Sequence, residues 1–282
     1  QDDCYMGAIV GRFANRIGGA TFSLEDHEYT LEKNEGANTN HGGYSGFHSK
    51  IWKGSYEGNK IVFRLSSAHL EGGYPGNVEV TVSYSFTSDG MVSIDFDGVS
   101  DRLTVLNLTN HAYFNLAGKG DILQHRVTIP SSYILETNAE FIPSGGILPV
   151  EATEFDFRYG KNIGKDIEKQ TQQLEWNRGY NHCYVFSLYD ERKMKWTASV
   201  YEPKSRRKLD VFTTYPGVLF YSSGYLSSQI VGKQGYKYTP MCGFCLETQY
   251  FPDFPNHSEF PQGVVFPEKP YHHTTLYKLS VV

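Results

Sequence analysis

The sequence is poor in cysteine and methionine, with 4 of each among its 282 residues. Four cysteines are too few to indicate a disulfide framework in a chain of this length, so we expect a reduced, cytoplasmic protein. No apolar run reaches the ~18 residues that a membrane-spanning helix needs, and no signal peptide is visible. These two absences predict a protein with no membrane partner.

An excess of positive charge is also missing. The chain has 26 Lys and Arg against 31 Asp and Glu, which gives a formal net charge of −5. A nucleic-acid-binding protein usually carries a basic patch, so we expect no nucleic-acid partner. The densest basic run, residues 202–210, is better interpreted as a solvated hairpin turn.

One C-x-x-C pair, Cys242 and Cys245, is present. A structural zinc site needs four ligands, and the other two are not in the sequence nearby. Residues three apart on a strand point to opposite faces, which places the two thiols badly for a disulfide. We therefore predict free thiols and no metal.

Strand-forming residues and turn residues dominate what is present. There are 21 Tyr, 18 Phe and 28 Gly, which favours an all-β fold. Asp89-Gly90 predicts a tight hairpin, and 167–176 is the one candidate for a short helix. The predicted strands cover 60–68, 77–88, 91–100, 103–114, 125–135, 181–189, 195–203, 208–215, 218–223, 243–251 and 273–282. We expect one β-sandwich domain with long loops.

Two of the ionisable residues inside predicted strands are candidates for a site. Alternation along 103–114 places His111 on the more polar face of that strand. Along 243–250 it places Glu247 on the face opposite the bulky Phe244 and Leu246. A carboxylate is costly to bury unless it is paired or used. A satisfied structural histidine and a glutamate on a solvated face stay possible, because neither residue alone indicates an enzyme.

Two further segments add polar groups of the same kind. "GRFANRI" (11–17) contributes Arg16, and "GANTNHGG" (36–43) contributes His41 beside two glycines, which permit close backbone approach to a ligand. One arginine, two histidines and a glutamate among aromatic residues suit a polyhydroxylated ligand, since aromatic rings cover the apolar faces of a sugar.

Taken together, these segments resemble the aldose 1-epimerase (galactose mutarotase) family. The segments that carry the resemblance run in family order from end to end of the chain: "GRFANRI", "NTNHGG", "GGYPGN", "LTNHAYFNLAG", "FDFR", "GYNHCYVF", "TTYPGVLFY", "GFCLETQYFPDFPN" and "HHTTLYKLS". Nine motifs in order are a specific signal, whereas any one of them would be weak.

The resemblance implies a β-supersandwich spanning 1–282, and an isomerase that interconverts the anomers of free hexoses such as galactose or glucose without a cofactor. It implies a small-molecule aldose as the partner, and we expect a monomer or a weak dimer. Carried over position by position, Glu247 resembles the general base and His111 the general acid. Arg16, His41, Asn15 and Asn181 correspond to residues that contact the sugar.

The sequence departs from the family pattern in three places. Asn181 stands where the family usually has Asp, and Leu219 stands where it usually has Gln, so the site loses polar capacity. The family's strands before "GRFANRI" are absent, which would expose a sheet edge and led us to expect a truncated chain. Two alternatives stay open: a sugar-binding or regulatory protein with little turnover, and an epimerase of a phosphorylated hexose, which would need extra cationic groups.

Overall fold

Long alternating segments build the larger of two antiparallel sheets. The structure is a computed structural model and describes residues 4–186, 193–226, 231–232 and 235–282. The sheet has nine strands, in spatial order β15 (Lys161–Asn162), β12 (Arg126–Thr128), β17 (Lys195–Tyr201), β18 (Arg207–Thr213), β22 (Tyr271–Val281), β9 (Met91–Ser100), β8 (Val78–Phe86), β7 (Lys60–Ser67) and β6 (Lys53–Glu57).

A smaller antiparallel sheet carries much of the functional surface. Its five strands lie in the order β14 (Pro143–Pro149), β13 (Tyr133–Thr137), β16 (Asn181–Val185), β19 (Gly217–Tyr221) and β20 (Cys245–Gln249). Phe220 and Leu246, which are register partners, are buried in the hydrophobic core. Their strand neighbours Leu219 and Glu247 are also register partners and point to the other face. One face of this sheet therefore packs in the core while the other is available for a site.

Short strand pairs connect the loops to this framework. They are β1 (Ile9–Val10) with β11 (Thr109–Asn110), β2 (Arg16–Ile17) with β5 (Thr39–Asn40), β3 (Thr21–Leu24) with β4 (His27–Thr30), and β10 (Thr104–Val105) with β21 (Val264–Val265). The α-helix among the described residues is α1 (Gln172–Asn177), and 3₁₀ turns occur at Gly18–Ala20, Phe47–Ser49, Glu71–Gly73, Ile163–Lys165 and Phe254–Asn256. No helix of the described chain is long and apolar enough to cross a membrane.

The predicted all-β fold is confirmed, and most of the predicted strands are present. The hairpin at Asp89-Gly90 joins β8 to β9, and the basic run 202–210 connects β17 to β18 and enters β18. The predicted helix is shorter, because only its second half is helical. The end of the predicted strand 181–189, from residue 187 on, lies outside the described residues.

Two predicted strands were wrong as continuous elements. Segment 103–114 is strand only at β10 and β11, because its backbone changes partners along its length. The Leu106 N–H donates to Gly263 O, the Asn107 N–H to Arg12 O, and the His111 N–H to Ala8 O. Segment 125–135 divides into β12 and β13, which belong to different sheets. Pro130 lies between them, and a proline has no backbone N–H to give to a sheet.

Candidate active site

A cleft of about 500 Å³ lies on the free face of the five-stranded sheet. Segment 109–114 runs beside the edge strand β20, and residues of the loops at 15–16 and 35–41 complete the lining. The six residues that the sequence predicted for the site all line this cleft: Asn15, Arg16, His41, His111, Asn181 and Glu247. Their convergence is a finding of the structure, whereas the role of each stays a prediction.

Glu247 occupies the middle of β20 and is 1% exposed. Its Oε1 lies 3.6 Å from Nε2 of His111, and its Oε2 has no hydrogen-bond partner among the described residues. Burial raises the pKa of this carboxyl group, while the nearby His111 and Arg16 oppose the rise. The carboxylate is thus held in a low-dielectric site, with one buried oxygen that no described group satisfies.

His111 follows β11 directly, and its ring is fixed on several sides. It stacks on Tyr113 at 5.1 Å between ring centroids and meets His41 edge-on at 5.3 Å. Its Nδ1 lies 3.6 Å from Sγ of Cys245. Burial raises the pKa of this thiol well above its usual value, so the sulfur keeps its proton, and either the thiol or Nδ1 can be the donor in this contact. Nε2 of the ring faces Glu247.

A backbone hydrogen bond determines which ring nitrogen of His41 carries the proton. The N–H of Asn15 donates to Nδ1 of His41 at 3.2 Å, so the neutral ring carries its proton on Nε2. Burial lowers the pKa of His41 well below its usual value, and the neighbouring His111 and Arg16 lower it further. His41 is therefore a neutral hydrogen-bond donor toward the cleft.

The glycines after His41 serve the protein backbone itself. A Cβ atom on Gly42 would lie 2.1 Å from the carbonyl oxygen of Gly11. A Cβ atom on Gly43 would lie 2.7 Å from Oε2 of Glu32. Close backbone approach was predicted toward a ligand, and the structure shows that it is made within the chain, where it fixes the loop that carries His41.

Arg16 is the first residue of β2 and lines the cleft. Its guanidinium forms a two-point pair with Glu35, including a bond of 2.9 Å from Nη2 to Oε1. The same group lies over the ring of Phe141 at 4.8 Å. Asn15 accepts the Arg16 N–H through Oδ1 at 2.9 Å, in a backbone conformation with φ of +67°. These contacts hold a charged donor in one orientation.

The two departures from the family pattern also lie on this surface. Asn181 begins β16 and faces Tyr221 in register, and Leu219 lies directly between Cys183 and Glu247 across three strands. Leu219 is 4% exposed and therefore forms part of the floor of the cleft.

Sequence reasoning missed Glu35, Phe141, Tyr113 and Tyr221, which also line the cleft. Glu35 precedes the segment "GANTNHGG" directly, so its proximity to His41 was visible. Its pairing with Arg16 required the contact between β2 and β5, which no local pattern shows.

Three side chains in the cleft could hold a metal ion. Among the described residues, His41, His111 and Glu247 have ligand atoms that all lie within 4.8 Å of one another. Two imidazoles and a carboxylate are donors that Zn²⁺ accepts. Cys242 and Cys245 do not belong to this group, and both are free thiols, as predicted. The expectation of no metal stays a prediction, which elemental analysis of the purified protein tests.

A buried carboxylate facing an imidazole, in a cleft lined by amides, an arginine and aromatic rings, defines a class of acid–base enzymes for polyhydroxylated ligands. The family model described as aldose 1-epimerase matches residues 1–278. The chain belongs to the aldose 1-epimerase family.

Curated relatives and solved structures agree with this assignment. The chain is 40% identical to galactose mutarotase of Rattus norvegicus over 283 residues, covering all of this chain and 80% of that protein. It is 33% identical to aldose 1-epimerase of Escherichia coli (strain K12), covering 93% of this chain and 75% of that protein. The aldose epimerase homologue from C. elegans superimposes with a TM-score of 0.91 at 28% identity, covering all of this chain and 84% of that one. The predicted supersandwich fold and the predicted isomerase class are confirmed.

Proposed function

We propose that the protein interconverts the α and β anomers of free aldohexoses such as galactose or glucose, with Glu247 as general base and His111 as general acid. The observation that carries this proposal is the Glu247–His111 pair, buried and 3.6 Å apart on the floor of an open cleft. Anomer exchange needs one group that accepts a proton while a second donates one, and these two side chains supply both.

Ring opening follows from this geometry. Glu247 removes the proton from the O1 hydroxyl, and the O1 electrons form the C1=O1 double bond. The C1–O5 bond breaks, and its electron pair takes the Nε2 proton of His111, which acts in its protonated, imidazolium form. The product is the open aldehyde, with a protonated Glu247 and a His111 that has lost its Nε2 proton.

Ring closure reverses these transfers on the other face of C1. Rotation about C1–C2 turns the aldehyde, and O5 attacks C1 while His111 recovers the proton of the O5 hydroxyl. Glu247 returns its proton to O1. Both residues regain their starting protonation states, so a turnover consumes no proton and no co-reactant.

The other predicted residues orient the sugar. His41 donates its Nε2–H to a sugar oxygen, and Arg16, held by Glu35, donates to a second one. Asn15 and Asn181 provide amide groups for further hydroxyls. Hydrogen bonds of this kind fix the anomeric centre against Glu247, which is the main requirement for positioned acid–base catalysis.

The charges in the cleft favour a free sugar over a phosphorylated one. Among the described residues that line the cleft, Arg16 is the one Lys or Arg, and its charge is already paired with Glu35. Glu140 adds a further acidic group to the lining. A phosphate group would meet repulsion without a free cation to hold it.

Polarimetry of freshly dissolved α-galactose, α-glucose and galactose 6-phosphate tests this proposal. We expect the rate of mutarotation of both free sugars to rise linearly with protein concentration, and the phosphorylated sugar to react more slowly. A protein that binds galactose in calorimetry without changing the rate of mutarotation would instead be a sugar-binding protein on this fold, which the apolar Leu219 favours as the second candidate.

Further predictions concern the protein outside its site. We keep the cytoplasmic localisation, the single domain over 1–282 and the monomer or weak dimer as proposals. The free thiols of Cys183, Cys242 and Cys245 support the first of them, since an oxidising compartment favours disulfides. Cell fractionation and sedimentation velocity test localisation and assembly.

A further inference from the structure

An apolar strip lies immediately beside Glu247. Cys183, Leu219 and Glu247 are register partners on β16, β19 and β20, so their side chains lie side by side on the cleft face of the sheet. Leu219 is 4% exposed and Cys183 is 2% exposed. Burial raises the pKa of the Cys183 thiol, which therefore stays neutral. Neither side chain offers a good hydrogen bond to a sugar hydroxyl.

The apolar strip continues into a narrow recess behind Leu219. The recess is lined by four polar or charged residues and six apolar ones: Asn15, Arg16, Thr137 and Asn181 with Leu135, Phe141, Pro143, Cys183, Leu219 and Pro252. A sugar hydroxyl that faces Leu219 from the cleft loses water and gains no partner on the Leu219 side. The cost of burying an unpaired polar group therefore applies there.

The position of His111 determines which sugar carbon meets this strip. Glu247 lies on the edge strand of the sheet, with Leu219 on one side and segment 109–114 on the other. In the proposed reaction His111 contacts the ring oxygen O5 and Glu247 contacts O1, and both oxygens are bonded to C1. The remaining ring neighbour of C1 is C2, which then points away from His111 and toward Leu219.

We infer that the cleft is adapted to aldoses without a hydroxyl at C2, and that Leu219 is the residue that determines this preference. This inference rests on the proposed function. It specifies 2-deoxyaldoses as members of the substrate class. Asn181 lies two residues before Cys183 on β16 and is the register partner of Tyr221. Polar side chains are therefore present again next to the apolar strip.

Three sugars and two variants test the inference. The values of kcat/KM for galactose, 2-deoxygalactose and 6-deoxygalactose are measured after subtraction of each uncatalysed rate. We expect the wild-type protein to use 2-deoxygalactose at least as well as galactose. Leu219→Gln should shift the ratio toward galactose about tenfold, which corresponds to roughly 1.4 kcal/mol. Leu219→Met, which has similar length without a hydrogen-bonding group, should keep the wild-type ratio.

The third sugar tests the orientation of the ring. Leu219→Gln should leave the ratio of 6-deoxygalactose to galactose unchanged, because C6 lies on the O5 side of the ring. The inference would be overturned if Leu219→Gln changed the ratio for 6-deoxygalactose and galactose but not the ratio for 2-deoxygalactose and galactose. A wild-type protein that uses galactose more than tenfold better than 2-deoxygalactose would also overturn it. That wild-type comparison decides the matter even if Leu219→Gln does not fold, and a wild-type protein that turns over none of the three sugars contradicts the proposed function instead.

Discussion

Glu247 shows at the scale of one residue how a functional group opposes stability. Its carboxyl group is 1% exposed, and one oxygen has no hydrogen-bond partner among the described residues. Burial raises its pKa in the folded protein above the value of about 4.3 that it has in an unfolded chain. The stability associated with this group is therefore present below pH 4 and is lost as the pH rises through the folded-state pKa.

Glu247→Gln should accordingly stabilise the protein at neutral pH. We expect a higher melting temperature at pH 7.5, by about 2–4 °C for each kcal/mol of charge burial removed. The gain should shrink toward zero at pH 4, where both states of the wild-type protein hold the proton. Thermal unfolding of both proteins at the two pH values checks this, and a variant that melts lower than wild type at pH 7.5 would contradict it.

The loop that carries His41 shows how an element is fixed by its glycines. The sequence identified Gly42 as a point of close approach, but not its partner, because Gly11 is about thirty residues away. Gly42 has φ of +85°, and an added Cβ atom would meet Gly11 O at 2.1 Å. Gly36, in the same segment and also lining the cleft, has φ of +59° with no atom within 4 Å of an added Cβ.

This contrast provides a matched pair of variants. Gly36→Ala bears only the cost of left-handed backbone, about 1–2 kcal/mol. Gly42→Ala adds a clash between backbone atoms, so it should destabilise the protein by several kcal/mol more and lower kcat/KM by displacing His41. Urea unfolding and polarimetry on both variants measure these effects. Equal losses in the two variants would show that the contact with Gly11 does not hold the loop.

Strands were predictable from the sequence where a segment keeps the same neighbouring strands along its whole length. β8 and β9 alternate along most of their length and pair with each other across the short turn at residues 87–90, so local pattern was sufficient. Segment 103–114 alternates equally well, yet its backbone bonds to residues near 8, 12 and 263 in turn. Alternation of apolar and polar residues indicates which face of a strand is buried. It does not indicate which strand lies beside it.

Buried neutral histidines couple the stability of the whole molecule to pH. Burial lowers the pKa of His182 to about 3, and burial followed by nearby positive charges lowers that of His273 to about 3. An unfolded histidine binds a proton near pH 6.5, and these two folded ones do not. Stability is therefore fully present above pH 6.5 and falls as the pH drops from there toward 3.

Each of these two histidines should lower the free energy of unfolding by roughly 2 kcal/mol between pH 7.5 and pH 5. His182→Gln removes one of them, so the variant should lose about 2 kcal/mol less than wild type over this interval. Urea unfolding at both pH values measures the two differences. Equal losses in wild type and variant would mean that His182 binds its proton in the folded state as readily as in the unfolded one.

The candidate site was more predictable than the paths that bring it together. Motif order identified six residues that line one cleft, although their positions span 15 to 247 along the chain. The Arg16–Glu35 pair and the Cys245 contact to His111 were not predicted, because they depend on how β2, β5, β11 and β20 pack. Sequence patterns predicted the residue types of the site, whereas the contacts between these residues depend on tertiary packing.

The Glu247–His111 relay also predicts how variants combine. His111→Asn should lower kcat by about 10²–10⁴-fold, as expected for a general acid. The double variant Glu247→Gln/His111→Asn should be little worse than the poorer single variant, since both residues act in one proton transfer sequence. Polarimetry at saturating galactose gives the four rates, and losses that multiply would indicate independent roles.

The turnover of Glu247→Gln at saturating galactose tests the central claim most directly. Glu202→Gln is the control: Glu202 is 3% exposed but accepts the N–H groups of Lys204 and Ser205 in a hairpin outside the cleft, so this variant should keep wild-type kcat. We predict that Glu247→Gln loses about 10²–10⁴-fold in kcat while its circular dichroism spectrum and its binding of galactose are retained. A folded Glu247→Gln variant that turns over galactose at a near wild-type rate would contradict the account.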